Sequence, residues 1–221
     1  MDDKLIKPLL AEFIGTFTLV FVGAAAVSIA GSSGGVAVPA FAHGLVVLAM
    51  AFMYGPISGG HFNPAVTAGL LVAGKIDAMK AVMYWAAQLL GGILGGVLMA
   101  ALMGGAADFN FGQTLGSISP SADFAKVLLI EAVLTFFLVS AIFQSAVFNR
   151  AKDFAPIAIG FTLTVAILAG GPYTGASLNP ARTLGPALAA GDLSYIVPYI
   201  LGPLLGAVVA ALLHSRLLNN D

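Results

Sequence analysis

Read for its apolar and polar positions, the chain divides into six long apolar segments, at approximately 8–30, 37–57, 79–103, 124–148, 155–170 and 194–214. They are separated by Gly31–Gly35, a loop at 58–77, a polar stretch at 104–123, a short Asn149–Asp153 turn and a loop at 171–192. Charge is missing over long runs. Residues 81–107, 154–181 and 193–215 hold no Asp, Glu, Lys or Arg, and Glu12 is the one formal charge between Lys7 and Lys75. Each run exceeds the roughly 20 apolar residues that a bilayer-spanning helix needs. The pattern predicts an all-α membrane protein with six transmembrane helices.

An even number of spans puts both termini on one side. Lys4, Lys7, Lys75, Lys80, Arg150, Lys152 and Arg216 fall on that side, against Lys126 and Arg182 on the other. That bias predicts cytoplasmic termini. Composition agrees with the membrane reading: of 221 residues 59% are hydrophobic and 9% charged, whereas a soluble domain carries about a quarter charged. The net charge of −1 says nothing about nucleic acid, but no basic tract exists to bind it, so no nucleic-acid partner is expected. The chain has no cysteine, which excludes disulfides, thiolate catalysis and Cys-ligated metals. Met1–Lys7 leads into the first span without a small-residue cleavage site, so no signal peptide is expected.

The chain repeats itself. Glu12-Phe13-Ile14-Gly15-Thr16-Phe17 is echoed by Glu131-Ala132-Val133-Leu134-Thr135-Phe136, 119 residues on. Ser58-Gly59-Gly60-His61-Phe62-Asn63-Pro64-Ala65-Val66-Thr67 is echoed by Thr174-Gly175-Ala176-Ser177-Leu178-Asn179-Pro180-Ala181-Arg182-Thr183, 116 residues on. One transmembrane domain, 1–221, is expected, with repeats at approximately 1–107 and 108–221. Each half holds three spans, and three is odd, so the second half must be inverted relative to the first. Inverted repeats place a transport pathway at the interface of the halves.

Asn63-Pro64-Ala65 and Asn179-Pro180-Ala181 each read as a helix start, with Asn as N-cap and Pro at the first helical position. The apolar run from Val66 to Ala73 gives about two turns, or ~15 Å with the motif included, which is half a bilayer. The run from Ala181 to about Ala190 behaves alike. Because the halves are inverted, the two loops should dip in from opposite faces and meet near the midplane. Irregular backbone survives there only when buried in protein or lining a water-filled path.

The paired motifs, the glutamate in the first span of each half and the six-span layout resemble the aquaporin family, also called the major intrinsic proteins, over essentially the whole chain. The resemblance implies two re-entrant half-helices stacked end to end, in two inverted repeats. It also implies one single-file pore per subunit, a homotetramer, and passage of water and small neutral solutes such as ammonia, urea, glycerol or hydrogen peroxide. No cofactor is implied, and the partners are the lipid bilayer and the permeants.

Asn63 and Asn179 can aim side-chain amides at a passing oxygen. Two converging helix N-termini, each about +0.5 elementary charge, oppose cations and hopping protons at the midplane. Glu12 and Glu131, the only glutamates, each sit inside an apolar span and need partners. The resemblance implies hydrogen bonds from the re-entrant loops; a proton site in a coupled transporter is the rival. Arg182 breaks the internal symmetry, since its counterpart is Val66, and an intramembrane arginine is a functional-site candidate.

In aquaporins the position matching Arg182 lies at an outer constriction, and spacing from the motifs adds His43, Ile167 and Ala176. Gly175, Ala176 and Ser177 are expected to offer carbonyls outside, and Gly59, Gly60 and His61 inside. His61 itself reads as structural, and His214 is expected at the interface or in solvent. The filter set is similar to that of plant tonoplast intrinsic proteins, some of which add a loop histidine that Gln113–Ser121 lacks. Thr183, Ala187 and Tyr199 look like water channels, and Ile200 like a glycerol facilitator. The glycines of Gly91–Gly96 and Gly202–Gly206 are expected at helix crossings within a subunit.

A glycerol-preferring facilitator is therefore the alternative. An ion-coupled secondary transporter is disfavoured, because no Asp or further Glu lies at the broken helices, and a junction protein is more remote. No Ser/His/Asp set, metal cluster or phosphate loop suggests an enzyme. The short tails point to a prokaryotic plasma (inner) membrane, and the tonoplast-like filter leaves a vacuolar membrane open.

Overall fold

Six helices long and apolar enough to cross a membrane run through the computed structural model, which describes residues 3–33, 35–104, 110–118 and 120–219. They are α1 (Asp3–Ser33), α2 (Ala37–Ser58), α4 (Ala78–Met103), α5 (Phe124–Ile142, prolonged by a π turn, Phe143–Val147), α6 (Ala155–Thr174) and α8 (Val197–Arg216). Two short helices complete the set: α3 (Pro64–Val72) and α7 (Pro180–Ala190). At 9 and 11 residues they reach roughly 14 and 17 Å, half a bilayer each.

Local chemistry explains the boundaries. Asn63 and Asn179 cap α3 and α7, and proline occupies the first helical turn of each. The Asp77 side chain caps α4 by accepting from the Lys80 amide at 2.8 Å. α2 and α6 both stop at a left-handed glycine, Gly59 (φ 94°) and Gly175 (φ 84°), a conformation that glycine adopts without a Cβ penalty.

Several boundaries differ from the apolar pattern, α1 beginning as early as Asp3. α1 continues through Gly31 to Ser33, and α6 continues through Pro172 to Thr174. α8 begins only at Val197, with Pro198 in its first turn. The expected division between the repeats, near residue 107, lies outside the described residues.

Packing interleaves the two halves. α1 packs on α2 and α4, α5 on α6 and α8, and α2 on α6. The short helices cross over: α3 lies against α8 and α7 against α4. The glycines of α4 serve two neighbours at once. A Cβ on Gly95 would come within 2.7 Å of the Phe17 carbonyl of α1, and one on Gly92 within 2.6 Å of the Ala181 carbonyl of α7. Gly202 does the same for α8 against the Leu128 carbonyl of α5. Bare backbone lets the helices close on each other and hold the half-helices between them. The outward faces stay apolar, with Leu90, Leu129, Val165 and Leu201 among the exposed residues, as lipid contact requires.

The polar stretch before α5 is not simply a solvated loop. Ser117 and Ile118 donate backbone hydrogen bonds to the Pro172 and Tyr173 carbonyls at 3.0 and 2.9 Å. Gly112 lies against Ala24 so closely that a Cβ there would meet its backbone. This segment folds over the end of α6, and its residues enter the site below.

Candidate functional site

The two Asn-Pro-Ala loops are tied to each other. Asn63 Oδ1 accepts from the Ala65 amide at 2.8 Å, and Asn179 Oδ1 accepts from the Ala181 and Arg182 amides at 3.0 and 3.3 Å. Their amide nitrogens donate across the junction, Asn63 to the Leu178 carbonyl at 2.8 Å and Asn179 to the Phe62 carbonyl at 2.9 Å. An Asn amide carries two N–H groups. Each therefore commits one to the opposite loop and keeps one for the central cavity, which both residues line.

Holding these loops requires strained backbone. Phe62 (φ 50°), Ala176 (φ 47°) and Leu178 (φ 55°) lie in the left-handed region, which disfavours residues with a Cβ by roughly 1–2 kcal/mol each. The buried glutamates fasten them. Glu12 accepts from the His61 and Phe62 amides at 2.9 and 2.7 Å, from Ser58 Oγ at 2.6 Å and from Gln88 Nε2 at 2.8 Å. Glu131 accepts from the Ser177 and Leu178 amides at 3.0 and 2.9 Å and from Thr174 Oγ1 at 2.8 Å. Both carboxylates are fully buried, and neither lines a described cavity. Tyr84 and Tyr199 add matching braces by donating to the Ser58 and Thr174 carbonyls at 2.7 and 2.6 Å.

Gln88, Tyr84 and Tyr199 were not legible as supports from sequence. Gln88 is the polar interruption of an apolar helix, and that was the available signal. Its position has no polar counterpart, because Pro203 occupies the equivalent place 115 residues on.

Three cavities follow one another along the junction. The outer one, on the side away from the chain termini, holds about 400 Å³ and is bordered by Val27, His43, Gln113, Ile167 and Gly175. The central one, about 30 Å³, is bordered by His43, Asn63, Asn179 and Arg182, and the inner one, about 680 Å³ on the side of the termini, by Gly59, His61, Lys75 and Asp153. His43 is shared by the outer and central cavities, and Gly60, His61, Ile142 and Ile159 by the central and inner ones. The space is smallest in the middle.

Arg182 and His43 are brought into contact at the outer end of the central cavity. Arg182 Nε donates to His43 Nε2 at 3.1 Å, and His43 Nδ1 lies 2.7 Å from the Pro39 carbonyl. A carbonyl only accepts and an arginine Nε–H only donates, so the ring is neutral with its proton on Nδ1. Arg182 is 2% exposed, and its Nη1 donates to the Gly112 carbonyl at 2.9 Å and to Thr114 Oγ1. Hydroxyls continue the chain from Thr114 to Thr183 (3.1 Å), to Ser177 (2.6 Å) and to the Asn179 carbonyl (2.8 Å). Among the described residues no hydrogen bond engages Arg182 Nη2, so that end of the guanidinium is the one placed for a permeant. Gly112 and Thr114 come from the loop that sequence treated only as lacking a histidine.

The remaining predicted positions are less uniform. Ile167 borders the outer cavity beside His43, while Ala176 is buried in the cluster behind Ile167 and borders no described cavity. Gly60 and Ser177 border the central cavity. The His61 ring pairs through Nδ1 with Thr67 Oγ1 at 3.0 Å and sits edge-on to Tyr84. His214 departs from expectation. It is 5% exposed, stacked on Phe143, with Nδ1 accepting from Gln144 Nε2 at 2.8 Å, because the π turn at the end of α5 carries both partners onto α8.

Comparison with known proteins follows the same lines. Residues 2–214 match the family model described as major intrinsic protein. The chain is 40% identical to aquaporin Z of Brucella melitensis, an alignment covering 98% of this chain and 100% of that protein. It is 41% identical to aquaporin TIP1-2 of Zea mays, over 95% of this chain and 85% of that one. It is 40% identical to glycerol uptake facilitator protein-like 6 of Lactiplantibacillus plantarum, over 93% and 95%. The X-ray structure of the aquaglyceroporin from Plasmodium falciparum superposes with a TM-score of 0.81 at 27% identity, covering 97% of each chain.

Proposed function

The chain belongs to the major intrinsic protein family and is an integral membrane channel for water and small solutes rather than an enzyme; on that premise we propose that it conducts passively, admits other small neutral molecules besides water, and rejects ions and protons. The observation that carries this reading is the Arg182–His43 contact at the outer end of the central cavity, directly above the paired Asn caps. A fixed guanidinium and two helix N-termini place positive charge along the narrowest stretch, so a cation would lose its hydration there against a repelling field. A neutral molecule meets donors instead: the free N–H of each Asn and the Nη2 of Arg182.

Breadth of selectivity follows from the other walls. Ile167 presents hydrocarbon beside His43, so a carbon-bearing solute finds an apolar side and a polar side. This supports a filter resembling that of tonoplast intrinsic proteins, with ammonia, urea, glycerol or hydrogen peroxide as the solute class. A glycerol preference is the second reading, favoured by Ile200 and by the similarity to a glycerol uptake facilitator. Ion coupling is disfavoured because Glu12 and Glu131 are engaged by donors and lie away from the cavities. The further proposals are a homotetramer, repeats dividing near residues 107 and 108, and a prokaryotic plasma membrane with cytoplasmic termini, where Lys75 and Asp153 would mark the inner mouth.

The deciding experiment is stopped-flow light scattering on proteoliposomes, with water, glycerol, urea and ammonia tested side by side. Non-saturating solute flux together with a maintained proton gradient is expected. Saturation, or flux coupled to an ion gradient, would replace the channel by a carrier.

A further inference from the structure

The helix α1 contributes a stripe to the passage through residues four apart. Leu19 borders the central cavity and Val27 the outer one, and Gly23 lies between them on the same face. It is buried, at the level where His43 meets Arg182. A Cβ built on Gly23 would find three ring atoms of His43 as its nearest neighbours: Cδ2 and Cε1 at 2.7 Å, and Nε2 closer still. The absent side chain is the notch in which the ring rests.

The internal repeat supplies an independent reading of the same position. Counting 119 residues on, Leu19, Gly23 and Val27 correspond to Leu138, Ile142 and Ala146 on α5 and its π turn. Those three border the central cavity, both central and inner cavities, and the inner cavity respectively. His43, on α2, where the repeat offset is the 116 residues of the Asn-Pro-Ala motifs, corresponds in turn to Ile159, which stands with Ile142 where the central and inner cavities meet. At the inner end two side chains fill the stripe; at the outer end one ring fills it, and Gly23 makes the room.

We propose that Gly23 is a specificity-determining position, because its missing side chain seats the His43 ring against α1, on Arg182 Nε, and so sets the width of the outer constriction. The proposal rests on the reading of His43 and Arg182 as the filter. The ring is tethered at Nδ1 to the Pro39 carbonyl, so a methyl at 23 cannot slide it along α2. It can only turn the Nε2 edge into the passage or off Arg182. Gly23→Ala should therefore narrow the passage for solutes wider than water.

The test uses the full chain in proteoliposomes, with water and the largest of ammonia, urea and glycerol that the wild type passes. Gly23→Ala should lower the solute-to-water permeability ratio roughly five- to tenfold, the factor that one disrupted hydrogen bond adds to a barrier. In a His43→Ala background the same change should be silent, since the ring it displaces is gone. An unchanged ratio for Gly23→Ala, or an equal loss in both backgrounds, overturns the proposal. If His43→Ala alone leaves the ratio unchanged, the filter reading itself has failed. A second arm covers a Gly23→Ala variant that does not insert. The chain has no cysteine, so His43→Ala/Gly23→Cys carries a single thiol. A small methanethiosulfonate added from outside should block its water flux, and full labelling without block overturns the proposal.

Discussion

Replacing Glu12 tests whether the re-entrant loops depend on buried acceptors. In the wild type Oε1 receives Ser58 Oγ and the His61 amide, and Oε2 receives the Phe62 amide and Gln88 Nε2. Two of these donors can find relief. Ser58 Oγ already lies 3.4 Å from the Tyr54 carbonyl, and Gln88 Nε2 also donates to Thr67 Oγ1 at 2.9 Å. The two backbone amides cannot turn. Glu12→Ala therefore strands two buried N–H groups at about 1–3 kcal/mol each, or roughly 2–6 kcal/mol in total. That is a large share of an ordinary stability of about 5–15 kcal/mol.

Glu12→Gln keeps one oxygen and turns the other into a donor. Facing Phe62 and Gln88, the new NH₂ can be met by Gln88 Oε1, which has no hydrogen-bond partner among the described residues, so one backbone amide is left unpaired. The expected cost is about 1–3 kcal/mol. Thermal unfolding of the purified protein in detergent, followed at one scan rate because such unfolding is commonly irreversible, should rank wild type above Gln and Gln above Ala. Equal thermal stability of Gln and Ala would refute the acceptor role and return Glu12 to the candidates for proton coupling.

Arg182→Val removes the central cation and its contacts with His43, Gly112 and Thr114; water flux should persist while proton or cation leak rises, measured as decay of a pH gradient in vesicles. A gradient held as well as by wild type would count against the barrier reading. Ile167→His would put polar atoms on the outer wall beside His43, and the solute-to-water flux ratio should fall with only a modest loss of water flux; an unchanged ratio removes residue 167 from the filter. Ala176→Cys should react slowly with mercurials and block poorly, because residue 176 is buried behind Ile167, and rapid block would place it at the lumen instead. His214→Ala should lower thermal stability by about 1–3 kcal/mol through the loss of a ring stacked on Phe143 and of Gln144's partner, whereas an unaltered melting temperature would mean the ring contributes no net packing.

Much of this protein was determined by sequence alone. Uncharged runs long enough to span a bilayer specify helices, since lipid satisfies no backbone group and the chain must do so itself. The duplicated Asn-Pro-Ala motifs located the loops, because a cap leaves a residue-type signature; the paired glutamates stood out as intramembrane charges in need of partners, and the family resemblance suggested the loops as those partners. The rest was decided in three dimensions. Gly112 and Thr114 grip Arg182 from 70 and 68 residues away, and Gly23 meets His43 across two helices. Nothing local to those positions marks them. Ala176 shared the spacing of a filter residue, yet the left-handed turn at 176 tucks its side chain into the core. Periodicity reports which face of a helix avoids water, but which residues touch across helices depends on how closely glycine-lined backbones approach, and that is a property of the assembled fold.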